Sequence, residues 1–230
     1  MECPHVPEIT AGEFAEALGE HLGPHGRIPL NGTIELTARC NLNCAHCYIN
    51  LPADDREAQA QELTTQEICS LLDTLADEGT LFLLLTGGEI FVRKDFMEIY
   101  IYAKRKGMFI NLFTNGTLIT ERIADYLQDW PPRMVEITLY GATAETYERV
   151  TGVPGSYERC MGGIDLLLDR GIPLTLKTMV LTLNRHELEA MKALARDFGV
   201  GFRYDAQIWP RLDGRRAPCS LRLSPEEVVR

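Results

Sequence analysis

The feature that most limits the fold is a repeat of one supersecondary unit. Short β-branched or apolar runs alternate with amphipathic segments, and each pair takes about 25 to 40 residues, the size of a βα unit. The strand candidates are "TIELT" from Thr33, "LFLLLT" from Leu81, "MFINLFT" from Met108, "MVEITL" from Met134, "LTLKTMVL" from Leu174 and "GFRYD" from Gly201. "LFLLLT" is apolar on both faces, as a strand inside a parallel sheet must be. The helices between them carry their own punctuation. Thr64 with Glu67 reads as a capping box ahead of Ile68, Leu71, Leu72 and Leu75, with Gly79 as the stop. Phe96, Ile99, Tyr100 and Ala103 precede Gly107, and Ile164, Leu167 and Leu168 precede Gly171. Asn184 with Glu187 reads as a second box before Leu188, Met191, Ala195 and Phe198. Right-handed crossovers then predict an α/β fold, a partial (β/α)6 TIM-type barrel with a parallel sheet. Eight units would close the barrel; six leave it partly open. Residues 28–210 form this barrel, 1–27 an N-terminal extension and 211–230 a C-terminal segment.

Composition narrows the setting. The 230 residues are 45% hydrophobic, enough for one sizeable core. Net charge is −10, from 23 basic and 33 acidic residues, which argues against nucleic-acid binding through a basic surface. No apolar run approaches a membrane span, and "MECPHVPEIT" lacks the regions of a signal peptide. The expected location is cytoplasmic. Seven cysteines, an odd number with three in one cluster, fit a reduced compartment and a metal site better than a disulfide framework.

That cluster is "ARCNLNCAHCYIN", in which Cys40, Cys44 and Cys47 stand just beyond the first strand. "TGGE" (86–89), "TNGT" (114–117) and "TLYG" (138–141) end the second, third and fourth strands; Lys177 and Thr178 lie in the fifth, and "YDAQIW" runs off the sixth. In a parallel sheet these ends share one edge, where active sites of βα barrels are built. The donor set is informative. A structural zinc takes four protein ligands, and a ferredoxin-like cluster takes a fourth cysteine. Three thiolates on a [4Fe–4S] cluster leave one iron open to a ligand that chelates through amino and carboxylate groups. A glycine pair at the next strand end would let backbone approach it.

These motifs together resemble the radical S-adenosylmethionine (radical SAM) enzymes. "CNLNCAHCY" is similar to that family's cluster motif, with His46 at its aromatic-or-histidine position, and "TGGE" to its methionine-binding motif. "TNGT" and "TLYG" also resemble the family's strand ends, over about Ile28 to Pro210. The stretch from Thr151 to Asn184 is similar to the subgroup carrying a SPASM or twitch extension. Ile90 stands where the family commonly has proline, and Tyr140 where aspartate is frequent; neither touches the expected backbone contacts. The resemblance implies a [4Fe–4S] cluster on Cys40, Cys44 and Cys47, and bound S-adenosylmethionine. Gly87, Gly88 and Glu89 would take its methionine amino group, His46 and Tyr48 its adenine, and Thr114, Asn115, Thr138 and Lys177 its ribose and carboxylate. It implies an oxidoreductase that generates a 5′-deoxyadenosyl radical to abstract hydrogen from a peptide or protein. The electron donor would be a flavodoxin or ferredoxin. Modification of a small molecule such as a haem-type cofactor precursor is the second reading, and a non-catalytic iron–sulfur or zinc protein the third. A side chain at Gly88 is expected to weaken cofactor binding while sparing the cluster.

Plainer readings stand beside these. Gly87-Gly88 is also a possible βα turn, Asn115-Gly116 an ordinary turn signal, and Lys177 a lysine that snorkels out of a strand. Cys69 and Cys160 read as small core residues, and Cys3 with His5 as part of a solvated tail. Asp205 and Gln207 can face substrate without a proton-transfer role. "LSPEEVVR" reads as a helix start, with Ser224 as N-cap and Pro225 at the first position, reaching Arg230 within about one turn. The expectation is a longer protein whose auxiliary-cluster domain lies beyond, so that these residues hold about four irons, one [4Fe–4S] cluster. The triplet assignment predicts that Ala at Cys40, Cys44 or Cys47 abolishes cluster assembly, whereas Cys69→Ala and Cys160→Ala keep parental iron content. Equal iron in all five variants would refute it.

Overall fold

The computed structural model describes residues 28–49 and 51–228, together with Thr10, Gly12, Glu13, Glu16 and Gly19. Cys3 and His5 lie outside the described residues. The strands are β1 (Asn31–Glu35), β2 (Arg39–Cys40), β3 (Leu51–Pro52), β4 (Phe82–Thr86), β5 (Phe109–Thr114), β6 (Met134–Thr138), β7 (Leu174–Met179) and β8 (Gly201–Asp205). Six of them pair in parallel, in the order β1-β4-β5-β6-β7-β8, which is the sequential order of an opened barrel. The two-residue strands β2 and β3 form a separate parallel pair. Their role is local: they hold the segment that begins at Cys40.

Alternation along the strands separates two environments. Leu83 and Leu85, Ile110 and Leu112, Val135 and Ile137, and Leu174 and Leu176 are buried in the main core. Residues of the opposite parity on the same strands, among them Leu84, Phe113, Thr138 and Lys177, border a cavity inside the sheet's curve. Period-two patterning therefore puts chemistry on one face and packing on the other.

The helices pack on the outer face. They are α1 (Arg56–Ala60), α2 (Thr65–Asp77), α3 (Phe96–Arg105), α4 (Glu121–Asp129), α5 (Ala144–Thr151), α6 (Ser156–Asp169), α7 (Leu188–Asp197) and α8 (Pro225–Val228). The Thr64–Glu67 box forms as predicted, with Glu67 N donating to Thr64 Oγ1 at 3.2 Å and Thr64 N to Glu67 Oε2 at 2.8 Å. Ser224 and Glu227 bond in the same reciprocal way ahead of α8. Cys160 is buried in the core, whereas Cys69 is only half-buried on α2. Among the described residues, no helix is long and apolar enough to cross a membrane.

The second predicted capping box does not form. A short 3₁₀ turn, Arg185–Glu187, precedes α7, and the Asn184 side chain makes no cap bond to it. Asn184 Oδ1 instead accepts from Leu181 N at 2.7 Å, and its Nδ2 donates to Tyr140 O and Met179 O at 3.0 Å each. The Glu187 carboxylate accepts from Ala142 N (2.6 Å), Thr143 N (3.1 Å), Thr143 Oγ1 (2.7 Å) and Thr146 Oγ1 (2.6 Å). It caps α5, a different helix, because the turn after β7 lies beside the turn after β6. An anion there satisfies orphan N–H groups and faces the positive end of the helix dipole.

Burial alone would raise the Glu187 pKa, but hydrogen bonds from Thr146, Thr143 and Ala142 hold it below the ordinary carboxylate range. A depressed folded-state pKa contributes stability above the unfolded value, and that stability is lost as pH falls through the folded value. Glu187→Ala should therefore cost about 1–3 kcal/mol at pH 7 in denaturant titrations, and the difference should narrow below about pH 4.5. A difference independent of pH would contradict this capping role.

Candidate functional site

The cysteine segment is a loop held from several sides. On one side the β1–β4 pairing continues past both strands: Leu36 N donates to Thr86 O (2.8 Å), Gly88 N to Thr37 O (2.7 Å) and Glu89 N to Arg39 O (2.9 Å). Such close approach excludes side chains at the glycines. A Cβ on Gly87 would lie 2.3 Å from Thr37 O, and one on Gly88 2.3 Å from Arg39 O. Gly87 also has φ +142°, a conformation that L side chains rarely adopt. On another side, Asn43 N and Ala45 N donate to Thr151 O and Val150 O, both at 2.9 Å. The loop thereby satisfies carbonyls left open at the C-terminus of α5. Beyond the triplet, Tyr48 OH donates to Glu35 Oε1 at 2.7 Å, and Leu212 N to Tyr48 O at 3.0 Å.

Cys40, Cys44 and Cys47 border one cavity of about 470 Å³, the size range of small-molecule sites. His46 and Tyr48 flank them; Gly87 and Gly88 form the adjacent wall. Thr114, Asn115, Thr138 and Lys177 come in from the next three strands, and Asp205 and Gln207 from the last. The predicted residues are thus brought together, with one exception. Glu89 is fully buried behind the wall and does not border the cavity. Its carboxylate accepts from Thr114 Oγ1 (2.8 and 2.9 Å), Asn115 N (2.7 Å) and Phe91 N (3.2 Å). These bonds also occupy the Thr114 hydroxyl, so the pair braces the end of β5 against the Gly-Gly turn.

The electrostatics suit a positively charged inorganic guest. Burial pushes the Cys40 thiol up to about 12, and the charges of Glu89 and Cys47 add to the shift. Burial raises Cys44 further still, with Cys40 and Cys47 contributing. Cys40 and Cys44 in this low dielectric resist ionisation until a metal supplies the compensating charge. Donors to two of the sulfurs are already in place. Leu42 N lies 3.4 Å from Cys40 Sγ and Asn115 Nδ2 3.7 Å from it, and the Tyr140 hydroxyl bonds Cys44. Among the described residues no three His, Cys, Asp or Glu side chains converge on a single-ion site. The thiols border a space instead of a point, as a cluster of several irons requires. The residues present fit a [4Fe–4S] cluster.

The rest of the cavity offers polar groups to an organic guest. Burial lowers His46 to about 4, so it is neutral, and its buried Nδ1 has no hydrogen-bond partner among the described residues. Its ring packs against Tyr140 with centroids 5.0 Å apart. Lys177 points into the mouth, 2.8 Å over the Phe113 ring and 4.0 Å from Glu136. Burial lowers it to about 7, partly offset by Glu136 and reinforced by Arg203.

Several participants lay outside the sequence reading. Tyr140 was visible only as a departure from the family pattern. Trp209 and Ile208, which border the cavity mouth, follow the last strand end, and that position was their only signal. The group of buried Arg39 and Arg93 with half-buried Glu62 and Asp95 carries no local signature at all. Arg39 meets Glu62 through Nε (2.7 Å) and Nη2 (3.0 Å) and Ala53 O through Nη1 (2.8 Å), which anchors the strand leading into Cys40.

Comparison with known proteins agrees with this geometry. A model of the Radical SAM superfamily matches residues 34–195. Over 165 residues the chain is 38% identical to the AdoMet-dependent heme synthase of Methanosarcina barkeri, covering 72% of this chain and 46% of that protein. Over 176 residues it is 34% identical to the antilisterial bacteriocin subtilosin biosynthesis protein AlbA of Bacillus subtilis, covering 75% of this chain and 38% of that one. The fold is similar to the crystal structure of Streptococcus suis SuiB, with TM-score 0.66 at 16% identity over 84% of this chain and 46% of that one. The chain spans less than half the length of each of these proteins.

The position of Gly88 revises the expectation that a side chain there would spare the cluster. Its Cβ meets the Arg39 carbonyl, one residue before Cys40, and not the cavity. Gly88→Val should displace the strand that carries Cys40 and lower iron incorporation severalfold, along with cofactor affinity. Full iron content with weakened S-adenosylmethionine binding would instead restore the original expectation.

Proposed function

The chain belongs to the radical SAM superfamily, and from that premise we propose that it forms the catalytic barrel of an enzyme modifying a peptide or protein. The observation that carries the chemistry is the meeting of Cys40, Cys44, Cys47 and the Gly87-Gly88 turn on one cavity. Cys40, Cys44 and Cys47 would hold a [4Fe–4S] cluster there, which would supply the electron for reductive cleavage of bound S-adenosylmethionine and so for hydrogen abstraction from substrate.

The chain's own groups bind and orient. Gly88 N and Glu89 N are already donated to Thr37 and Arg39, so the groups the turn offers are carbonyls, the polarity that accepts from an ammonium. His46 and Tyr48 line the cavity and are the proposed contacts for adenine; Thr138 and Lys177 line it too and are the proposed contacts for ribose and carboxylate. Cys44 is buried and Cys40 and Cys47 are half-buried, so the low dielectric that strengthens electrostatic interactions is greatest at Cys44. A flavodoxin or ferredoxin is the proposed electron donor.

A peptide substrate is favoured by the likeness to AlbA and by an open mouth at which Trp209 is 65% exposed. A haem-type precursor is the second reading, on the strength of the 38% identity to the heme synthase. Anaerobic reconstitution followed by dithionite and S-adenosylmethionine tests the shared chemistry. The expected product is 5′-deoxyadenosine, formed at a rate that falls to background in Cys44→Ala. No nucleoside from a protein with full iron would overturn the reading.

A further inference from the structure

Asn115 is pinned in an orientation that gives it a task other than contacting an organic guest. It lies just past β5 and is 8% exposed. Its Oδ1 accepts from Thr117 N at 2.9 Å and from Thr117 Oγ1 at 2.6 Å. A backbone N–H can only donate, so the atom facing it must be the amide oxygen. The NH₂ group therefore faces the other way, 2.9 Å from Asn41 Oδ1 and 3.7 Å from Cys40 Sγ. Asn41 is oriented by the same ring, because its Nδ2 donates to Thr117 Oγ1 at 2.7 Å. The backbone N–H of Asn115 is tied to Glu89. Amide, hydroxyl and carboxylate thus close a network in which each donor finds an acceptor and one N–H is left directed at sulfur.

From this geometry we infer that Asn115 serves as a hydrogen-bond donor to the Cys40 thiolate and thereby raises the reduction potential of the cluster, a role that rests on the cluster reading above. Reduction adds one electron to the iron–sulfur unit and moves no proton, so negative charge on the ligand sulfurs grows. A donor to such a sulfur is stronger when the sulfur is more negative, which stabilises the reduced state over the oxidised one. Leu42 N supplies a second donor to the same sulfur from the backbone, which no side-chain substitution removes. Cys40 differs in this from a thiolate whose donors all come from side chains, and Asn115 is the adjustable half of the pair.

The test is a redox titration of the reconstituted protein without S-adenosylmethionine, followed by electron paramagnetic resonance, with dithionite as reductant. Asn115→Leu keeps the number and branching of the side-chain heavy atoms and removes the donor. It should retain parental iron and become harder to reduce by at least tenfold in equilibrium constant, a 59 mV fall for a one-electron couple. Thr117→Val keeps Asn115 but releases its amide, and should shift the potential in the same direction by less. A merely structural role would change iron content or stability without moving the potential. Parental potentials in both iron-replete variants would overturn the inference and leave the cluster reading standing. If Asn115→Leu loses its iron, an unshifted Thr117→Val suffices to overturn it. A parent that binds no iron would overturn both readings.

Discussion

Two backbone hydrogen bonds, Gly88 N to Thr37 O and Glu89 N to Arg39 O, carry the sheet's pairing beyond its strands and into the site. They are possible only because residues 87 and 88 have no Cβ. Through them the end of one strand sets the height of Cys40 above the barrel floor. The same residues that present a turn to the cavity therefore also hold the cysteine loop, so the two sides of the cavity are coupled through backbone hydrogen bonds. The opposite end of the loop rests on the α5 terminus, where Asn43 and Ala45 cap open carbonyls. A loop with both ends fixed keeps three thiols around a space that they would otherwise collapse or leave.

Buried charge supports this arrangement at some cost. Arg39 and Glu62 form a two-bonded pair with little exposure, and Arg93 adds Asp95 and the carbonyls of Leu36 and Leu63. Desolvating such groups offsets much of their attraction, so their net contribution to stability is small. Breaking the pair by removing one partner is another matter, at about 3–5 kcal/mol. The cluster of charges thus acts as a latch: Arg93 reads out Leu36, Arg39 reads out Ala53, and the segment between is allowed one position. Glu89 applies the same logic at the next strand end. Burial raises its pKa, yet donors from Asn115, Thr114 and Phe91 receive its carboxylate.

How far the sequence could be read follows from the range of each interaction. The six strands and the Thr64–Glu67 cap are local patterns, set by period and by a three-residue spacing, and all of them form. The cysteine triplet and the strand-end motifs were legible because parallel pairing forces those ends onto one edge. Asn184 and Glu187 have the spacing of a box, but Asn184 Oδ1 turns back to Leu181 N, and Glu187 is spent on partners more than forty residues earlier, which no local window contains. Glu89 looked like a ligand because of its neighbours; its direction depends on Thr114 and Asn115, 25 and 26 residues away. Arg39, Glu62 and Arg93 were illegible for the same reason. A charged residue beside a motif reads as solvated surface until the fold shows what closes over it.

The central claim is that three thiolates leave one position open, and that the Gly-Gly wall and the Lys177 side of the cavity receive the ligand that fills it. Electron–nuclear double resonance on the reduced, reconstituted protein tests this most directly. S-adenosylmethionine would be labelled with ¹⁵N in its amino group in one sample and with ¹⁷O in its carboxylate in another. The account predicts coupling of both nuclei to the cluster in the parent protein. Cofactor that binds with neither nucleus coupled, beside a cluster with full iron, would contradict it.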